Sequence, residues 1–143
     1  MSTSTALDVS AFRFPVRIYW EDTDAGGVVF YANYLKFFER ARTEWLRHLG
    51  FGQEALKNEQ RMMFVVTHTE LRYLAPARLD DLLHVTVRPQ AAGRASLVVH
   101  QQAWRGDVLL TEGSIRIGCV DADTFRPRRM PDELINTLQT HAA

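Results

Sequence analysis

Asn33-Tyr34-Leu35-Lys36-Phe37-Phe38-Glu39-Arg40-Ala41-Arg42-Thr43-Glu44-Trp45-Leu46-Arg47-His48-Leu49-Gly50 is the stretch on which the fold turns. Tyr34, Phe37, Phe38, Ala41, Trp45 and Leu49 recur at spacings of three and four, which lays an apolar stripe along one face of a helix. Asn33 stands where an N-cap belongs, Gly50 where the helix must stop, and Lys36, Arg40 and Arg47 fall on the polar face. The stripe carries more bulky aromatic surface than one helix can hide, so it needs an extended partner such as a curved sheet.

The flanking sequence supplies that sheet. Upstream, Phe14, Val16, Ile18 and Trp20 alternate with Pro15, Arg17, Tyr19 and Glu21, the period-two pattern of a strand with one buried face. Downstream, beyond a polar stretch from Gly52 to Gln60 to which the pattern assigns no element, four strand-like runs follow: Met62 to Leu74, Leu82 to Pro89, Ala95 to Trp104 and Val108 to Cys119. Ala75-Pro76-Ala77-Arg78, Ala91-Ala92-Gly93-Arg94 and Arg105-Gly106-Asp107 separate them, and the last two have the chemistry of hairpin turns. Pro131-Asp132-Glu133 opens a short C-terminal helix, with acidic residues where the helix dipole favours them. The expectation is an α+β fold, a five-stranded antiparallel sheet wrapped around a central long helix. It forms a single domain over residues 11–143 after a flexible tail at 1–10.

Composition narrows the function. Equal numbers of basic and acidic residues leave no positive field to draw in a nucleic acid. The single cysteine, Cys119, cannot form an internal disulfide, and no Cys/His spacing resembles a zinc site. No run is long and apolar enough to span a bilayer, and Met1 to Ala11 lack the layout of a signal peptide, so a cytoplasmic location is expected.

Glu21, Asp22 and Asp24 form an acidic cluster directly before Gly26-Gly27. A calcium loop counted from Asp22 has its glycine at Gly27 but meets Asn33 where a glutamate is required, which argues against that metal. Two readings of Asp24 remain open on pattern alone. An Asp before two glycines shapes a turn. A carboxylate delivered beside the N-terminus of a long helix also lies near unpaired backbone N–H groups, which can hold an oxyanion.

The run from Trp20-Glu21-Asp22-Thr23-Asp24-Ala25-Gly26-Gly27-Val28-Val29-Phe30-Tyr31 through Ala32-Asn33-Tyr34, followed by Phe38-Glu39-Arg40-Ala41-Arg42-Thr43-Glu44, resembles the signature of the 4-hydroxybenzoyl-CoA thioesterase family of hotdog proteins. A second block, Leu71-Arg72-Tyr73-Leu74-Ala75-Pro76-Ala77-Arg78-Leu79-Asp80-Asp81, is similar to that family's strand and turn after the helix, so the likeness spans roughly Phe14 to Gly118. Within the family it is nearest to the acyl-CoA thioesterases associated with the Tol-Pal envelope system. Members of that subgroup often carry His at the position of Tyr31, whereas the 4-hydroxybenzoyl-CoA enzyme carries Tyr.

The resemblance implies a hydrolase of short- or medium-chain acyl-CoA thioesters, needing no cofactor, built as a homodimer or homotetramer with sites between subunits. It places the catalytic carboxylate on Asp24, as nucleophile or general base, and the amide that polarises the thioester carbonyl on Tyr31. Aromatic acyl-CoA substrates are the near alternative. A noncatalytic scaffold that binds acyl carrier protein or envelope-lipid enzymes is the distant one.

Asn33 and Tyr34 belong to the same motif and either shape the acyl pocket or serve as cap and core. Arg126, Arg128 and Arg129 either meet the phosphates of coenzyme A or form a solvated basic loop. Glu39 and Glu44 read as helix charges, and the five histidines, at no metal-pair spacing, as surface or structural groups. Gly113-Ser114 lacks the full nucleophile-elbow pattern, and no glycine-rich phosphate loop follows a strand.

Overall fold

Phe37, Phe38 and Ala41, from the middle of the aromatic stripe, are almost wholly buried, and Tyr34 and Trp45 at its ends nearly so. They belong to helix α1, Asn33–His48, in a computed structural model that describes residues 12–142. The tail expected over 1–10 lies outside those residues. Five strands form one antiparallel sheet: β1 (Phe12–Arg17), β2 (Met62–Tyr73), β3 (Leu82–Ala92), β4 (Ser96–Arg105) and β5 (Val108–Asp121), in the spatial order β1-β3-β4-β5-β2. This is the hotdog arrangement, a sheet wrapped on a central helix. Leu83, Val85, Leu97, Val99 and Ile115 belong to the same buried core as the apolar face of α1. Truncating Phe37 or Phe38 to alanine would cost about 3–5 kcal/mol, the usual loss for a buried aromatic.

The sheet curves because its pairing is interrupted. Register shifts fall between Val66 and His68, between Pro89 and Ala91, and between Ala103 and Trp104, and each extra residue bends its strand. Gly113 in mid-β5 has a steric reason: a Cβ there would lie 1.9 Å from the carbonyl oxygen of Glu70 on β2. The close crossing of β2 and β5 therefore requires glycine.

Two expectations are corrected. Trp20 does not continue the first strand's buried face; β1 ends at Arg17, and Trp20 opens a single 3-10 turn, Trp20–Asp22, with 82% of its surface exposed. The backbone turns because the Tyr19 N–H donates to Asp22 Oδ2 at 2.8 Å and the Asp22 N–H to Tyr19 O at 3.0 Å, a local alternative to the ladder. The polar stretch before β2 contains a helix, α2 (Gln53–Gln60), in which only Leu56 is buried. A single anchoring residue leaves no periodic signal to read. The C-terminal helix α3 (Asp132–His141) follows Pro131 and buries Leu134, Ile135 and Leu138 against β3.

α1 rests chiefly on β1 and β3 and so sits to one side of the sheet. The concave face of β2 is left partly bare, with Val66 and Tyr73 about half exposed. β2 is also an edge strand, hydrogen-bonded to β5 alone. No helix among the described residues is long and apolar enough to cross a membrane.

Candidate active site

The acidic loop is a small hairpin excursion ahead of α1. Thr23 bridges to Val29 and Val28 to Arg78, and the Val29 N–H donates to Ala77 O at 2.8 Å. At its tip Asp24 closes a tight turn: its N–H donates to Val28 O at 2.8 Å, its carbonyl accepts from Gly27 at 3.0 Å, and Gly27 takes a φ of 80° that favours glycine. The Asp24 side chain joins in, with Oδ1 accepting from the N–H groups of Gly26 at 2.8 Å and Val28 at 3.4 Å. The turn-forming role is therefore real. Both bonds fall on one oxygen, Oδ1, and the residue is exposed.

Asn33 does not cap the helix as the pattern predicts. Ala32 occupies that position, and the Asn33 side chain turns instead toward the acidic loop, where Nδ2 donates to Asp22 O at 2.8 Å. The Phe30 N–H donates to the same carbonyl at 3.0 Å. Asp22 O thus ties the loop to the helix start.

That start presents a fixed donor. The Phe30 carbonyl accepts from the Asn33 N–H at 2.8 Å, and the Tyr31 carbonyl from the Tyr34 N–H at 3.3 Å. A trans peptide is planar, so holding the Phe30 C=O toward the helix aims the N–H of Tyr31 away from it. Among the described residues that N–H meets no protein acceptor. It lies at the positive end of the helix dipole, where an oxyanion is stabilised.

Around it is an open cleft of ≈ 300 Å³ lined by Val29, Tyr31, Tyr34, Tyr73, Leu74 and Pro76. Tyr34 is buried, and desolvation pushes its phenol up from the ordinary range, so it stays protonated. The sequence pattern assigns Tyr73 only to a strand, yet its hydroxyl donates to the Tyr31 carbonyl at 3.2 Å, and its ring packs against Tyr31 and Tyr34. Burial, then the two neighbouring tyrosines, raise the Tyr73 phenol as well. The signal for it is its place in the second motif block, two residues before the turn Ala75-Pro76-Ala77-Arg78 begins.

The basic run is divided. Arg128 bonds to the Gln60 carbonyl and Arg129 pairs with Asp132 at 2.7 Å, while Arg126 is exposed. All three lie near the Met62 end of β2, whose pairing partner is Asp121, whereas the Tyr31 cleft adjoins the Tyr73 end. One protomer therefore does not bring them together with Asp24 and Tyr31. Glu44 pairs with Arg47 one turn on, and Glu39 lies one turn before Arg42. Among the described residues no group of three or more His, Cys, Asp or Glu side chains is arranged to hold a metal ion.

Comparison with known proteins shows the family. The profile described as "Thioesterase superfamily" matches residues 26–112, which contain Tyr31, Asn33 and Tyr34 and begin just after Asp24. The chain belongs to the thioesterase superfamily. Thioesterase relatives also cover the loop: an "Acyl-CoA thioester hydrolase YbgC" of Escherichia coli O157:H7 is 45% identical over 130 residues, 90% of this chain and 96% of the relative. An "Acyl-CoA thioesterase YbgC" of Haemophilus influenzae is 44% identical over 87% of this chain and 92% of its own. Among solved structures, a probable thioesterase from Bartonella henselae superposes with a TM-score of 0.80 at 35% identity, covering 83% of this chain and 98% of that one. A thioesterase-superfamily protein from Jannaschia superposes at 0.88 with 20% identity, over 95% of this chain and 96% of that one, which supports the fold alone.

Proposed function

We propose that this thioesterase hydrolyses short- or medium-chain acyl-CoA thioesters to free acid and coenzyme A, with Asp24 as the catalytic carboxylate and the Tyr31 N–H as the oxyanion donor. The observation that carries the reading is the clamp through Asp22 O, which fixes the carboxylate-bearing loop to the helix end that presents an unpaired donor. The thioester carbonyl oxygen accepts from the Tyr31 N–H, and charge developing on it is stabilised there by a few kcal/mol. Asp24 attacks the acyl carbon to give a mixed anhydride that water then cleaves, or it deprotonates a water that attacks directly. Either way the sulfur leaves as thiolate, which a pKa of roughly 8.5 allows without a strong general acid.

The working unit in this reading is a homodimer. The free edge of β2, its half-exposed Val66 and Tyr73, and the uncovered concave face favour pairing with a second copy. Antiparallel pairing of two β2 edges sets the Met62 end of one beside the Tyr73 end of the other. The second copy's Arg126 would then approach the cleft, where a guanidinium suits the phosphates of coenzyme A.

Thiol release from short, long and aromatic acyl-CoAs, by the parent and by Asp24→Asn, tests the proposal. Hydrolysis that is lost in Asp24→Asn with KM little changed supports it. Equal turnover by the two proteins rejects Asp24, and no turnover of any acyl-CoA rejects the substrate class. The rings of Tyr31, Tyr34 and Tyr73 around the cleft favour a second reading, an aromatic acyl group, and the same panel decides it.

A further inference from the structure

α1 carries one charged residue on its buried face. Arg42 is only 9% exposed, and its Nη1 donates to Gln101 Oε1 at 3.0 Å. Gln101 is wholly buried on β4 and is itself fixed, with Nε2 donating to Phe38 O at 3.0 Å and Thr86 O at 3.4 Å. The guanidinium is therefore held in one place by a neutral amide. That bond engages one of its five donors.

Arg42 faces the trough that the offset of α1 leaves along β2, which in the proposed dimer lies beside the second copy. It lines an open groove of ≈ 300 Å³ with Leu35, Phe38, Val66 and Thr69, and it also borders a more enclosed hollow of ≈ 120 Å³ among Trp45, Phe64, Leu97 and Ile117. The Tyr31 cleft and this groove share no lining residue but follow one another between the same two elements, Tyr34 of α1 and Tyr73 of β2 lining the first, Leu35 and Phe38 of α1 with Val66 and Thr69 of β2 the second. Helical rise and the backward lean of the side chain put the guanidinium on the order of 10 Å from the Tyr31 amide, within reach of a medium-length acyl chain. The apolar lining from Leu35, Phe38, Val66 and Ile115 is joined by Thr69 and, on the exposed face of α1, by Lys36 and Glu39. Burial lowers the pKa of Arg42, and it remains charged. What best satisfies it is an anion with two oxygens. Glu39, exposed at the mouth, is the carboxylate that acts on it and screens it in part.

We propose that Arg42 recognises a terminal carboxylate on the acyl group, so that the enzyme favours monothioesters of dicarboxylic acids over neutral acyl chains of equal length. The proposal rests on acyl-CoA as the substrate and deepens it.

Two readouts separate it from the role of Asp24. One is kcat/KM of the parent on suberyl-CoA against octanoyl-CoA, and the other is equilibrium binding of the same pair by Asp24→Asn. The expected preference for suberyl-CoA is about tenfold or more in both. Arg42→Gln brings the ratio near unity, Arg42→Lys retains part of it, and Glu39→Gln raises it. A parent that treats the two alike or favours octanoyl-CoA overturns the proposal, as does a folded Arg42→Gln with an unchanged ratio. If Arg42→Gln does not fold, the exposed Glu39→Gln decides, because an unmoved ratio there is equally fatal. A binding preference in a protein that hydrolyses neither ester supports Arg42 and counts against the proposed hydrolysis instead.

Discussion

The side-chain amide of Asn33 donates a 2.8 Å hydrogen bond to the carbonyl of Asp22, and through it the first turn of the central helix holds the acidic loop. Asn33 is nearly buried, so its loss leaves a carbonyl short of a partner in a confined place. Asn33→Ala should destabilise the protein by about 1–3 kcal/mol. It should also lower kcat more than it raises KM, because the loop would no longer be fixed against the Tyr31 donor. Thermal melts and steady-state kinetics on the same preparation check both effects.

Gly26 offers a gentler perturbation. A Cβ at this position would sit 3.2 Å from Asp24 Oδ1, a contact that a side chain can relieve by moving a few tenths of an ångström. Gly26→Ala should therefore leave stability within about 1 kcal/mol of the parent while lowering kcat, since small displacements of a catalytic group are costly. Unchanged turnover would show that the Asp24 carboxylate needs no such placement.

Gly113 gives the opposite pattern. Its missing Cβ accommodates the Glu70 carbonyl, and backbone cannot yield as a side chain can. Gly113→Ala should force β2 and β5 apart and cost about 1–3 kcal/mol or more, measured by denaturant unfolding. A neutral substitution would mean that the sheet can open at no cost.

The outer face of the sheet sets a pH dependence. Burial pushes the Glu112 carboxyl up, but hydrogen bonds from Arg72 and Gln102 outweigh it and leave the net shift downward. Burial lowers the imidazole of His100, whose Nε2 lies 3.5 Å from Glu112 Oε1. In both cases the unfolded chain binds protons that the folded chain does not, so stability rises with pH across the shifted range. As pH falls below about 6.5 the His100 contribution declines, and below the ordinary carboxylate range that of Glu112 follows. Glu112→Gln should flatten the acid part of a stability–pH curve, and a parallel curve would reject the assignment.

Pairing through β2 is testable at Val66, which is half exposed on the bare half of the sheet. Val66→Glu puts a charge into the proposed seam and should shift sedimentation toward monomer, with thiol release falling in step. A dimer that survives this change pairs through another face.

The sequence by itself determined the five strands, the central helix and the C-terminal helix in their order, but not α2, whose one buried residue leaves no pattern. A period of three and four in the α1 stripe, a period of two in the strands, and Gly or Pro between them are local consequences of backbone geometry, so each can be read without knowing its partner. The loop motif, through its likeness to the thioesterase signature, likewise marked Asp24 and Tyr31. What only the tertiary structure decided depends on residues distant in the chain. Asn33 chose the Asp22 carbonyl over a cap because the acidic loop folds back over the helix start. Tyr73 joined the cleft through a contact with Tyr31 that no local pattern encodes. Arg42 came to face an open trough because α1 settles over β1 and β3, a choice fixed by how whole faces pack and not by any spacing along the chain.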